Sequence, residues 1–150
     1  MPIPDFTDHG LLPAGYHPCT LDEAQSRFCW NDHREALWTQ SLEFVEYCSS
    51  LGLEAPIFVD GSFVTNKPYP RDIDIVADLT HATNEEIGLA LQLHFTQQQF
   101  IKDRYRVDFW VFHPMASKDL TQFFQYIREE DAQARGCGPD IRKGLLSIAL

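Results

Sequence analysis

Apolar side chains change their spacing several times along the chain, and each change marks an element. Leu37, Trp38, Leu42, Val45, Cys48 and Leu51 recur at three- and four-residue intervals, while Glu35, Glu43 and Glu46 lie largely off that stripe. This predicts an amphipathic helix, capped by Asn31 or Asp32, running to Leu51 and stopped by Gly52. Ahead of it, Thr20-Leu21-Asp22-Glu23 has the Thr-x-x-Glu pattern of a capping box and predicts a short helix to about Cys29. The period then drops to two. Pro56–Asp60 reads as a buried strand ending in a Gly-Ser turn, and Phe63–Arg71, with Asn66, Pro68 and Pro70, as a loop. Asp72–Ala77 alternates acid and aliphatic, which predicts a strand with one dry and one polar face. Thr83 caps a further helix with Ile87, Leu91 and His94 or Phe95 along one side. Arg104–Phe112 alternates again, with Tyr105, Val107, Phe109 and Val111 on one face and Arg104, Arg106, Asp108 and Trp110 on the other. Ser117 opens a fourth helix carrying Leu120, Phe123, Phe124 and Ile127, Arg135–Pro139 is a break, and Ile141–Leu150 is an apolar tail.

The order of these elements predicts an α/β (α+β) domain, a small mixed β-sheet flanked by helices. Residues 1–19, with four prolines and two glycines, read as an extended arm on the surface, and residues 20–150 as a single domain. A length of 150 residues with 44% apolar and 13% aromatic content suits one packed core. No apolar run approaches the roughly 20 residues of a membrane span. The first residues lack the basic-then-apolar pattern of a signal peptide, so the expected compartment is the cytoplasm.

Charge narrows the partners. The chain holds 12 basic and 22 acidic residues, a net of −10, and residues 1–100 carry only 4 of the basic but 15 of the acidic ones. A domain that grips nucleic acid through its phosphates carries the opposite balance, so that class is disfavoured. A protein partner, a small molecule or a metal–nucleotide complex fits better, as does an acidic surface that serves solubility alone. The cysteines, at 19, 29, 48 and 137, lack zinc-ligand spacing and are expected as free thiols, with Cys48 in the core.

One constellation carries chemistry. Asp72 and Asp74, two apart on a strand, leave the same face about 6–7 Å apart. Two carboxylates side by side repel, and a divalent cation such as Mg²⁺ removes the conflict. Asp108 lies on another alternating strand, and if that strand is the neighbour, three acids converge and can hold two metals. Gly61 and Ser62, at the end of a buried strand, allow close backbone approach to a phosphate. Lys67 and Arg71, in the loop before Asp72, are placed for incoming phosphates. Arg104 and Arg106 could meet phosphates or pair with neighbouring acids, and Arg142 and Lys143 could reach the site if the tail folds back. Asp60 is either an extra acid or a turn-stabilising residue before glycine.

Gly61-Ser62, nine intervening residues, Asp72-Ile73-Asp74-Ile75 and then Asp108 together resemble the nucleotidyltransferase fold of the DNA polymerase β superfamily. The stretch 58–79 also resembles small nucleotidyltransferase-like proteins of bacteria and phages, whose Leu-Pro-x-Gly-x-His-Pro arm is similar to Leu12–Pro18. The resemblance implies a minimal nucleotidyltransferase. Asp72, Asp74 and Asp108 would hold Mg²⁺ or Mn²⁺, Gly61 and Ser62 would cradle the outer phosphates of an NTP such as ATP, and an NMP would pass to a hydroxyl of a protein or small molecule. The segment Phe63–Lys67 departs from the Ala-Arg-Gly run of antitoxin-type members, and no helical substrate domain is fused, so the acceptor and base preference do not transfer. The alternative expectation is a catalytically silent or weakly active antitoxin or regulator on the same fold that recognises a partner protein, such as a toxin-like chain, with its acidic surface. A metal-dependent phosphodiesterase would need a water-activating base, and none is evident.

Overall fold

The computed structural model describes residues 3–115, 129–138 and 142–150. Two helices, α1 (Leu21–Phe28) and α2 (Asp32–Ser50), precede strand β2 (Ile57–Asp60), a short 3₁₀ turn (Ser62–Val64) and strand β3 (Ile73–Asp78). Helices α3 (Asn84–Thr96) and α4 (Gln98–Tyr105) lead into β4 (Val107–Phe112), followed by α5 (Glu129–Ala134) and β5 (Leu145–Ile148). Strand β1 (Tyr16–Cys19) comes first in the chain and pairs in parallel with β5, the last. The sheet order is β1-β5-β2-β3-β4, with β2 antiparallel to both neighbours and β3 parallel to β4. The expected α/β class is therefore observed, and the sheet is mixed.

The helix starts are chemically specified. Thr20 and Thr83 each close a capping box with Glu23 and Glu86, and the Asn31 side chain accepts from the Arg34 amide. The helices cover one face of the sheet, where Ile57, Val59, Ile73, Ile75, Val107, Phe109, Leu146 and Ile148 join Phe28, Leu37, Trp38 and Phe44 in the main core. A smaller cluster of Phe58, Val76 and Leu145, flanked by Trp110 and Phe112, lies on the other face. Cys48 is buried, and all four cysteines are free. No helix among the described residues is long and apolar enough to cross a membrane.

Three expectations need correction. The first 19 residues are not a surface arm: Leu11 and Leu12 are fully buried, and residues 16–19 form an edge strand. Arg104–Arg106 are not strand. The α4 helix runs to Tyr105, and Arg106, at φ 58°, turns the chain from helix into β4 within one residue. On α3 the inward positions are Ala90 and Leu93, whereas Leu91 and Phe95 are exposed. The apolar tail forms β5, inside the sheet between β1 and β2. The helix expected from Ser117 lies outside the described residues.

Candidate metal centre

Strand register assembles the acids. Asp74 is the direct neighbour of Asp108 across the parallel β3–β4 pair and of Asp60 across the antiparallel β2–β3 pair. Side chains alternate between faces, so this row of three carboxylates stands on the face opposite the helices, with Val76 and Phe58 next along it. Asp72 precedes β3 and returns to the same cluster. Carboxylate oxygens of Asp72, Asp74 and Asp108 all lie within 4.8 Å of one another. The three acids that the sequence singled out thus come together at one end of the sheet.

Electrostatics makes the cluster costly without a counter-ion. Burial pushes the Asp74 carboxyl up to about 7, and the charges of Asp60, Asp108 and Asp72 add to the rise, against a lowering by Lys143. Asp60 is only 1% exposed, and its acidity is weakened mainly by burial, while Lys143 and the Gly61 amide oppose the shift. The Lys143 ammonium stands 3.3 Å from Asp60 Oδ1 as its ion-pair partner. Lys102, from α4, reaches Asp108 Oδ1 at 3.2 Å and Asp72 Oδ2 at 3.6 Å. Four carboxylates beside two ammonium groups leave an excess of hard oxygen donors, a donor set that suits Mg²⁺ or Mn²⁺.

Gly61 and Ser62 lie at the foot of this row. Gly61 has φ 87°, which favours glycine, and a Cβ added there would stand 3.1 Å from Asp74 Oδ2. The glycine therefore lets the chain pass against the Asp74 carboxylate. Ser62 opens the 3₁₀ turn, which is held by the Thr65 hydroxyl donating to the Ser62 carbonyl at 2.7 Å.

Arg34 holds the loop that follows. Its guanidinium, fully buried, donates to the carbonyls of Phe63 and Thr65 at 2.7 Å, of Lys67 at 2.8 Å and of Phe28 at 3.0 Å. It also lies 3.6 Å over the Trp30 ring. Burial lowers its pKa to about 10, which leaves it charged at neutral pH. From the same end of α2, Asn31 donates to the Pro68 carbonyl at 2.8 Å, and His33 Nε2 lies 2.6 Å from that of Pro70. On the other flank Arg135 donates to Asn66 Oδ1 at 2.7 Å and to the His9 carbonyl at 2.9 Å.

The side chains of Lys67 and Arg71 are exposed, and what these residues give the fold is their backbone carbonyls, to Arg34 and to Arg106 Nε. Arg104 and Arg106 do not share the Asp108 face: Arg104 pairs with Glu43 at 3.3 Å. Asp60 is a buried acid beside the cluster that also interacts with the Gly61 amide, so its two readings are not exclusive, and Lys143 reaches it. Sequence reasoning missed Lys102, Arg34 and Arg135. Arg34 alone left a signal, since it falls one turn before Leu37 and Trp38 on the buried stripe.

A family model, described as a family of unknown function (DUF6932), matches residues 4–149. The chain belongs to DUF6932. Comparison with curated proteins and with solved structures returns no match. The family match spans the acid row, the Gly61 turn, β1 and β5 together, so in DUF6932 terms the arm and the tail are part of one unit with the cluster.

Proposed function

We propose that this chain is a Mg²⁺- or Mn²⁺-dependent nucleotidyltransferase that moves an NMP from an NTP to a hydroxyl of a protein or small molecule. The observation that carries this reading is the convergence of Asp74 and Asp108 from neighbouring strands with Asp72 from just ahead of β3, beside a glycine turn. Those three carboxylates would hold the cation. When bound, it supplies charge neutralisation at the phosphate and lowers the pKa of an acceptor hydroxyl. The chain's own residues do the rest. Gly61 lets the turn pass against the Asp74 carboxylate, Ser62 places a hydroxyl-bearing residue at the foot of the acid row for an outer phosphate, and the buried Arg34 keeps the following loop in one shape. In the net reaction, a bond forms between the acceptor oxygen and the α-phosphorus, the α–β bridging bond breaks, and pyrophosphate leaves with the acceptor proton released.

A second reading is supported by Lys102 and Lys143, which already give the acids protein counter-ions. On that reading the domain is a silent antitoxin-like or regulatory module that binds a partner chain through its acidic surface. One experiment separates the two. A thermal-shift titration with each NTP plus Mg²⁺ or Mn²⁺ should raise the melting temperature, as does any ligand bound only by the folded state. The paired changes Asp72→Ala and Asp74→Ala should abolish that rise together with pyrophosphate release in the presence of acceptor. A binding module shows neither effect, and keeps its partner when both acids are removed.

A further inference from the structure

Lys102 sits where its ammonium cannot be neutral to the fate of the acid cluster. It projects from the last turn of α4, reaches the two outer carboxylates at 3.2 and 3.6 Å, and leaves the central Asp74 to others. Its side chain is 48% exposed, so it can swing into solvent without unpacking the core. The neighbouring cations are committed elsewhere: Arg104 to Glu43 and Arg106 to the Arg71 carbonyl. Only Lys102 therefore bridges the Asp72–Asp108 edge among the described residues.

We propose that Lys102 is a tethered competing cation, which occupies the Asp72–Asp108 edge in the empty protein and must leave it when a divalent cation binds. This inference rests on the metal-binding part of the reading above. A single ammonium contributes one charge, and at half exposure an ion pair of this kind is worth little. A divalent ion bound by three carboxylates outcompetes it, at an affinity reduced by what the lysine must give up. Lys102 thereby sets how much divalent cation the site needs, and once displaced its ammonium is free to meet the anionic substrate that arrives with the metal.

The test compares the wild type with Lys102→Met, which keeps most of the stem and removes the charge. Direct Mn²⁺ binding is measured by calorimetry and by the loss of the free-ion paramagnetic resonance signal, with Asp74→Asn as the reference for a damaged site. The expected result is Mn²⁺ binding about three- to tenfold tighter in Lys102→Met than in the wild type. Melting in EDTA adds a readout of opposite sign. Without cation the variant should melt lower than the wild type, because the acids lose their counter-ion, and saturating Mn²⁺ should raise it by more. A merely structural lysine lowers both melting temperatures alike and leaves the Mn²⁺ affinity unchanged or weaker, which overturns the proposal while the metal site stands. If neither protein binds Mn²⁺, or if Asp74→Asn binds it as well as the wild type, the reading of the site fails and takes this inference with it.

Discussion

At the scale of single residues, burial and neighbouring acids raise the pKa of the Asp74 carboxyl. Its carboxyl stands at about 7 in the folded chain against an ordinary value of 3.8, chiefly through burial and then through Asp60, Asp108 and Asp72. A raised carboxyl pKa means that the folded chain holds the proton more tightly than the unfolded one. The stability this contributes is present at and below pH 3.8 and is lost as pH rises through about 7. Asp60, shifted in the same direction, adds to the slope. Urea unfolding in EDTA should therefore show lower stability at pH 7.5 than at pH 5, and Asp74→Asn should flatten most of that difference. Mn²⁺ competes with the proton for the same oxygens, so its stabilising effect should grow over the same interval. Equal slopes in the wild type and in Asp74→Asn would show that the acids are already balanced by the two lysines.

At the scale of elements, the same end of α2 that caps the helix also shapes the loop beside the acids. Among the described residues Arg34 has no carboxylate partner, and its charge is stabilised by carbonyl dipoles from Phe28, Phe63, Thr65 and Lys67. Arg34→Met would leave several of these carbonyls buried without a donor, at a cost on the order of 3 kcal/mol, read as a lower urea midpoint. Arg34→Lys should recover only part of it, because an ammonium cannot reproduce the planar fork. An unchanged midpoint in Arg34→Met would mean that water replaces the guanidinium.

This is also the scale at which the sequence was most and least legible. Capping boxes at Thr20 and Thr83 and the alternation around Asp72 and Asp108 name local chemistry, and they located α1, α3, β3 and the body of β4. The α4–β4 junction was hidden for a physical reason. Arg106 adopts a left-handed turn that glycine usually marks, and Arg104 and Tyr105 continue the polar–apolar alternation of β4 backwards into a helix. With α4 unseen, Lys102 had no position, and its contact with Asp72 and Asp108 could not be anticipated.

At the scale of the whole molecule, the lopsided charge and the distant chain ends turn out to be one arrangement. The final third holds 8 of the 12 basic residues and supplies Lys102 to Asp72 and Asp108, Arg104 to Glu43 and Lys143 to Asp60, so it gives counter-ions to four acids of the remainder and of its own strand. Its last strand, β5, enters the sheet between β2 and β1, and brings Lys143 to the acid row. Composition alone could show the imbalance but not these pairings, which depend on tertiary contacts far apart in sequence. The opening residues complete the same arrangement. Leu11 and Leu12 are buried, the Leu12 and Gly15 carbonyls accept from the amides of Gly144 and Leu145, and Gly10 accepts from the Asn66 amide beside the site. Removing residues 1–19 would strip two buried leucines, at about 2–5 kcal/mol each, and expose the edge of β5. Set against a total stability of roughly 5–15 kcal/mol, that loss should abolish cooperative melting followed by circular dichroism, or lower its midpoint steeply. A truncated chain that melts like the full one, with Lys143 still shielding Asp60, would instead make the opening segment the surface arm that its prolines suggest.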